Sequence, residues 1–249
     1  MYTFQLVARV QLEKFMLGGR MRALIATALS FTLLACGAAP NRHSIEEQRT
    51  QNANAVPKAE GPFHSLTGWT EKVSFYIDDT APDVVVEAAI TAGESWNDAM
   101  GREVLIFAGV AKMPRGDELY SSLDDTYTMV YYEKNWKGST GKADTTLATT
   151  VWENASGSDR IIKGDVILNG ETYHFCDAMD VSRNLGQDLD IVDAETVLLH
   201  EFGHLLGLDH VEIEVDPDSV MHAKTYIGPN MSFRSLSDGD IENIRQVYE

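Results

Sequence analysis

Residues 200–210 read HEFGHLLGLDH, which brings three histidines, one glutamate and two glycines into eleven consecutive positions. On an α-helix, residues four apart lie about 40° around and roughly 6 Å along the axis, so His200 and His204 aim their imidazoles at one point. Gly207 can take the left-handed conformation that ends a helix and turns the chain back, which lets His210 approach the same point from outside. Three neutral imidazoles leave a fourth tetrahedral position for water, the arrangement of a catalytic rather than a closed structural zinc. Glu201 lies about 100° around the helix from His200, badly placed to share the metal and well placed to act on a water beside it as general base. Histidines that merely complete a core or decorate a surface need neither Glu201 nor Gly207, and neither does a histidine-rich metal store.

The elements that must hold these residues follow from periodicity. The motif sits on a helix with Asp193 as N-cap, burying Val197, Leu198, Phe202, Leu205 and Leu206. Upstream, KVSFYI alternates Val73, Phe75 and Ile77 on one face, which predicts a strand. The next stretch spaces Val84, Val85, Ala88, Ala89, Ala92 and Trp96 as a helix does. EVLIFAG, TYTMVYYE, TTLATTVWE and IIKGDVILNG read as four further strands separated by glycine and polar turns. A closing helix begins with Ser237 and Asp240 as a capping-box pair and aligns Ile241, Ile244 and Tyr248. No internal repeat is present.

HEFGHLLGLDH resembles the extended zinc motif of the metzincin peptidases, and GHLLGLDH is most similar to the matrixin branch. The likeness continues in DSVMHA, where Met221 matches the methionine turn that lies beneath the metal. WTEKVSFYI with SWNDA resembles the first strand and first helix of matrixins, and LSDGDIENIRQVY resembles their last helix. The resemblance covers residues 66–249. It implies an α+β (α/β-like) metzincin fold: a twisted five-stranded mixed sheet with one antiparallel edge strand, three main helices, and the catalytic zinc on the second. It also implies a zinc endopeptidase whose substrate, a protein or peptide, lies as an extra strand along the edge strand. Leu147, Ala148 and Thr149 are then the candidates for main-chain contacts. The alternative is a tethered binding or scaffold protein that keeps a zinc site with little catalysis, a role that would not need Glu201.

Several positions depart from the family's pattern. His222 and Ala223 follow Met221 where matrixins commonly have Tyr and Pro, so the wall of the specificity pocket is not carried over. His222 reads either as a donor near the reaction or as a loop histidine. The latency switch of the family is absent from the short tether, and Cys176, in the wrong place for it, reads as a small buried residue rather than a zinc ligand or redox switch. Ile167 stands where vertebrate members tend to place a structural-zinc histidine, so one zinc, the catalytic one, is expected. Five aspartates between 177 and 193 could offer oxygens to Ca2+ or form a solvated acidic loop.

The two ends of the reading concern export. From Met21, MRALIATALSFTLLAC has a basic start, a short apolar run and small residues ending at Cys36, which is signal-peptide architecture. LLAC resembles the lipobox of bacterial lipoproteins, so residues 1–35 read as a lipoprotein-type signal peptide and Cys36 as the lipidated residue. A plain secretory cut near Ala39 and an uncleaved anchor are the alternatives, and either Met1 or Met21 is the start. Residues 36–65 are polar and aperiodic, a flexible tether or a short pro-segment. Gly37 lacks the aspartate that signals inner-membrane retention, which points an exported lipoprotein to the outer membrane. The formal net charge of -18 disfavours nucleic acid and anionic lipid, leaving the lipid anchor at Cys36 as the membrane contact. A monomer is expected.

Overall fold

A computed structural model describes residues 2–7, 67–112, 127–177, 191–226 and 233–249. The tether, Cys36 and most of the aspartate-rich loop lie outside the described residues. In chain order the elements are β1 (Tyr2–Val7), β2 (Val73–Asp78), α1 (Asp83–Met100), β3 (Leu105–Ala111), β4 (Thr128–Glu133) and α2 (Trp136–Thr140). They continue with β5 (Thr146–Asn154), β6 (Ile161–Asn169), β7 (His174–Cys176), β8 (Ile191–Asp193), α3 (Ala194–Leu205), β9 (Lys224–Tyr226) and α4 (Asp238–Tyr248).

The five strands expected from alternation and apolar runs form the centre of one sheet, in the order β3-β2-β4-β6-β5. β2, β3, β4 and β6 run parallel to their neighbours, and β5 runs antiparallel to β6. With three main helices this is the α+β arrangement anticipated above, and the histidine motif lies on the second of the three. Strands between parallel neighbours are covered on both faces, which is why β4 and most of β6 are buried throughout rather than alternately.

One face of the sheet receives α1 and α3. Phe75 of β2 meets Phe202 of α3 edge-on, with ring centroids 5.1 Å apart. The fully buried Trp96 of α1 donates its indole N–H to the Leu199 carbonyl of α3 at 2.9 Å, which satisfies its polar atom inside the core. Asn97 fastens α1 to β3, accepting from the Val104 and Leu105 amides and donating to the Leu105 carbonyl. The opposite face carries a smaller core of Met129, Tyr131, Trp136, Val151 and Ile167. Trp136 is supplied by α2, a short helix that the periodicity did not announce. Ile167 is fully buried there.

Beyond β5 the sheet differs from expectation. β1 pairs antiparallel with β5, Tyr2 opposite Thr150, Thr3 opposite Thr149 and Gln5 opposite Thr146. On its other side β1 pairs parallel with β9, through Gln5 and Lys224, Leu6 and Thr225, Val7 and Tyr226. In the whole chain β5 is therefore not an edge strand. Six residues read as part of a leader occupy that edge by main-chain pairing, which leaves little trace in side-chain chemistry. β7 and β8 form a separate parallel pair. No helix among the described residues is long and apolar enough to cross a membrane.

The tightest approach in the core is at Gly203, on the face of α3 turned towards α1. A Cβ added there would run into the Met221 sulfur and come within 3.1 Å of Trp96, and both side chains are fully buried. Gly203→Ala is expected to lower stability by about 1–3 kcal/mol through overpacking. Chemical denaturation measures this, and an unchanged midpoint would mean that Met221 has room to yield.

Candidate metal centre

Helix α3 is fixed at both ends before any histidine is placed. Asp193 caps it, accepting from the Thr196 amide at 3.0 Å and the Thr196 hydroxyl at 2.7 Å. Arg234 clamps this cap by pairing with Asp193, with Asp177 at 2.6 Å and with Glu195 at 3.2 Å. These hydrogen bonds keep the guanidinium charged, its pKa above the ordinary arginine range. At the other end the Trp69 indole N–H donates to the Leu205 carbonyl at 2.7 Å. Gly207 follows with φ 109°, outside the range L side chains favour, and the chain turns back towards the helix.

That turn brings the three histidines together. The Nε2 atom of His204 lies 2.9 Å from that of His200 and 3.2 Å from that of His210. The Nδ1–H of His200 donates to the Val220 carbonyl at 2.7 Å, and that of His204 to the Leu208 carbonyl at 2.9 Å. With Nδ1 carrying the proton, Nε2 is bare and faces the shared point, the tautomer a metal ligand needs. Burial, then the neighbouring imidazole, holds the His200 and His204 pKa values well below the ordinary histidine value. Zn–N bonds of about 2.0–2.1 Å in a tetrahedron place nitrogens about 3.3 Å apart, so the donor set fits zinc with small adjustments. Among the described residues, His200, His204 and His210 form the group whose spacing suits a metal ion.

The loop beneath is tied to α4. Asp240 accepts from the Ser219 hydroxyl at 2.6 Å and the Val220 amide at 2.9 Å, and it closes the capping box with Ser237. Val220 is the residue whose carbonyl orients His200, so the last helix sets a metal-site histidine through one peptide unit. Burial raises the Asp240 pKa, and these hydrogen bonds oppose the rise. Met221 packs beneath α3 against Gly203, and its carbonyl accepts from the Val211 amide at 2.9 Å, beside His210.

Glu201 is fully buried on β5's side of the helix. Its Oε2 accepts from the Thr150 hydroxyl at 2.6 Å, while Oε1 is buried with no protein partner. Burial pushes the carboxyl up to about 8, and the Thr150 hydrogen bond pulls against that. A buried carboxyl with one oxygen held and the other without a protein partner, next in sequence to His200, has the chemistry of a group that can take a proton from water.

Comparison with known proteins agrees with this geometry. The family model for matrixin matches residues 129–249, from β4 to the end of the chain. Residues 129–249 are therefore similar to matrixins. A matrixin-like relative, Metalloendoproteinase 5-MMP of Arabidopsis thaliana, is 33% identical over 85 residues, which are 34% of this chain and 22% of that protein. The chain thus spans about a fifth of that relative's length. Among solved structures, similarity extends to high choriolytic enzyme 1, a hatching enzyme zinc-protease from Oryzias latipes. The TM-score is 0.35 at 10% identity, covering 73% of this chain and 94% of that one. It extends also to myroilysin, with TM-score 0.36 and 13% identity, covering 73% and 82%.

Within the matched segment the other expected residues take definite places. Leu147 and Ala148 put their side chains into the main core, and Thr149 pairs with Thr3 of β1. His222 donates to the Asp216 carbonyl at 2.7 Å, in the loop leading to Met221. Burial and the nearby Asp193 push the Cys176 thiol up to about 11, so it stays protonated. Asp177 and Asp193, two of the five aspartates considered for calcium, bind Arg234 instead. Thr150, Asp240 and Arg234 were not singled out as site residues from sequence. Asp240 was legible only as a cap, and Thr150 lies one residue beyond the strand segment chosen for peptide contacts.

The pKa shifts have opposite signs. For metal-free protein, His200 and His204 are depressed on folding, so their contribution is present above the unfolded value of 6.5 and is lost as pH falls through it. Metal retention should weaken in the same window, measured by dialysis at stepped pH. Glu201 is raised from 4.5 to about 8, so its contribution is present below 4.5 and lost as pH rises towards 8. Metal-free Glu201→Gln is expected to be more stable than wild type at pH 8, on the order of a few kcal/mol, with the gap closing towards pH 4.5. Urea denaturation in chelator at both pH values checks this, and a gap that does not narrow would contradict it.

Proposed function

We propose that this chain is a zinc-dependent endopeptidase, with His200, His204 and His210 holding the metal and Glu201 as general base. The observation that supports it most is the convergence of three imidazole Nε2 atoms, one residue along the chain from a fully buried Glu201 whose Oε1 has no protein partner. Zinc, when bound, supplies a Lewis acid that polarises a peptide carbonyl and acidifies water. Glu201 takes the proton of the attacking water on Oε1 and delivers it to the departing amine. Val220 and Leu208, through their carbonyls, hold His200 and His204 in the tautomer that leaves Nε2 for the metal.

The substrate in this reading is an extended peptide lying between β5 and β9, in the position β1 takes in the whole chain, with Leu147, Ala148 and Thr149 offering main-chain contacts. β1 pairs with β5 through Tyr2, Thr3 and Gln5 and with β9 through Gln5, Leu6 and Val7, so the place it takes is one strand wide and suits strand addition. In the same reading the chain is exported. Removal of residues 1–35 as a signal peptide would take β1 away and open the gap, leaving the domain on the 36–65 tether with a lipid at Cys36, at the outer membrane. Met221 forms the floor under the metal site.

Glu201→Ala should keep its zinc, measured by atomic emission. It should lose cleavage of a panel of denatured proteins by about 10²–10⁴-fold or more, the usual worth of a general base. Equal cleavage by wild type and variant would refute the assignment.

A further inference from the structure

We propose that Thr150 is a positioning residue for the proton transfer, fixing the Glu201 carboxylate so that Oε1 alone faces the reacting water. This rests on the endopeptidase reading above and adds a residue to it. Thr150 is fully buried in β5, 51 positions from Glu201 in sequence, and its hydroxyl lies 2.6 Å from Oε2 and 3.0 Å from the Glu201 carbonyl oxygen. A hydroxyl has one proton to give, and the shorter contact, to the group that carries charge, is the stronger one.

A carboxylate on its own turns freely about its last bond, presenting either oxygen. Here one oxygen is held from the sheet and the other has no protein partner. The hold is stiff for two reasons. Thr150 is β-branched, with few side-chain rotamers. Its backbone is also paired with Val166 of β6, and on its other side, where Tyr2 of β1 lies in the whole chain, the peptide is proposed to pair. β5 is thus the strand along which a peptide is proposed to lie and also the strand that orients the base. A sub-ångström relation between substrate carbonyl and proton acceptor is then set within one rigid element, and misplacement at this scale costs up to about 10²-fold in rate.

Thr150→Ser and Thr150→Ala in the zinc-loaded protein freed of residues 1–35, the form in which the gap beside β5 is proposed to be open, both lose the methyl group and differ only in the hydroxyl. Thr150→Ser should keep kcat within about threefold of wild type, and Thr150→Ala should lose about 10–10²-fold in kcat with KM within about twofold, as for a lost orienting contact. Zinc content should be equal in both. A readout independent of turnover is the affinity for acetohydroxamate, whose hydroxyl proton must be accepted near Glu201. It should weaken about tenfold in Thr150→Ala and little in Thr150→Ser, as loss of a charge-assisted hydrogen bond implies. Equal kcat and equal hydroxamate affinity in the two variants would overturn the proposal. So would a loss in Thr150→Ser as large as in Thr150→Ala, which would assign the position to shape alone. If wild type cleaves no peptide yet binds zinc, the endopeptidase reading fails, and the hydroxamate comparison still decides whether Thr150 orients Glu201.

Discussion

Two imidazole Nε2 atoms brought to 2.9 Å, with each Nδ1–H committed to a carbonyl, are a pair of donors arranged for one cation. Burial of both rings favours the neutral form that such a donor needs. The surrounding structure is largely the apparatus that holds this pair in place. α3 is capped by Asp193 and clamped by Arg234, its far end is held by Trp69, and its face is pressed on Trp96 and Met221 through Gly203. A site arranged this way holds its three donors in place through the surrounding fold, so that little rearrangement is needed when an ion binds.

How far the sequence disclosed this depends on the distance over which each relation acts. The helical pair, the returning His210 and the turn at Gly207 lie within eleven residues, where helix geometry alone relates them. The caps at Asp193 and Ser237 are equally local and form as their spacing implies. The five central strands were legible because each is a short apolar or alternating run bounded by turns. Their order and the antiparallel sense of β5 came from resemblance, since no single strand encodes its neighbour.

Relations across the fold were hidden. Thr150 and Glu201 are 51 residues apart, and nothing in TTLATTVWE marks one threonine out of four for a carboxylate on another element. Asp240 was read through its cap, whereas its second task, holding Ser219 and Val220, requires knowing that α4 abuts the loop under the metal. β1 was overlooked for a different reason. Tyr2, Phe4 and Leu6 do alternate with Thr3, Gln5 and Val7, a strand pattern, but the apolar run after Met21 drew the whole region into a leader. Trp136 likewise lies on a helix too short for periodicity to reveal.

The strand slot beside the metal site has a polarity of its own. Its two walls run in opposite senses, since β1 is antiparallel to β5 and parallel to β9. A strand reversed in this place would exchange both relations at once, and the hydrogen-bond spacing of parallel and antiparallel ladders differs, so neither wall could keep its pattern. The direction of β1 is therefore fixed by its two neighbours through backbone alone, before any side chain is considered.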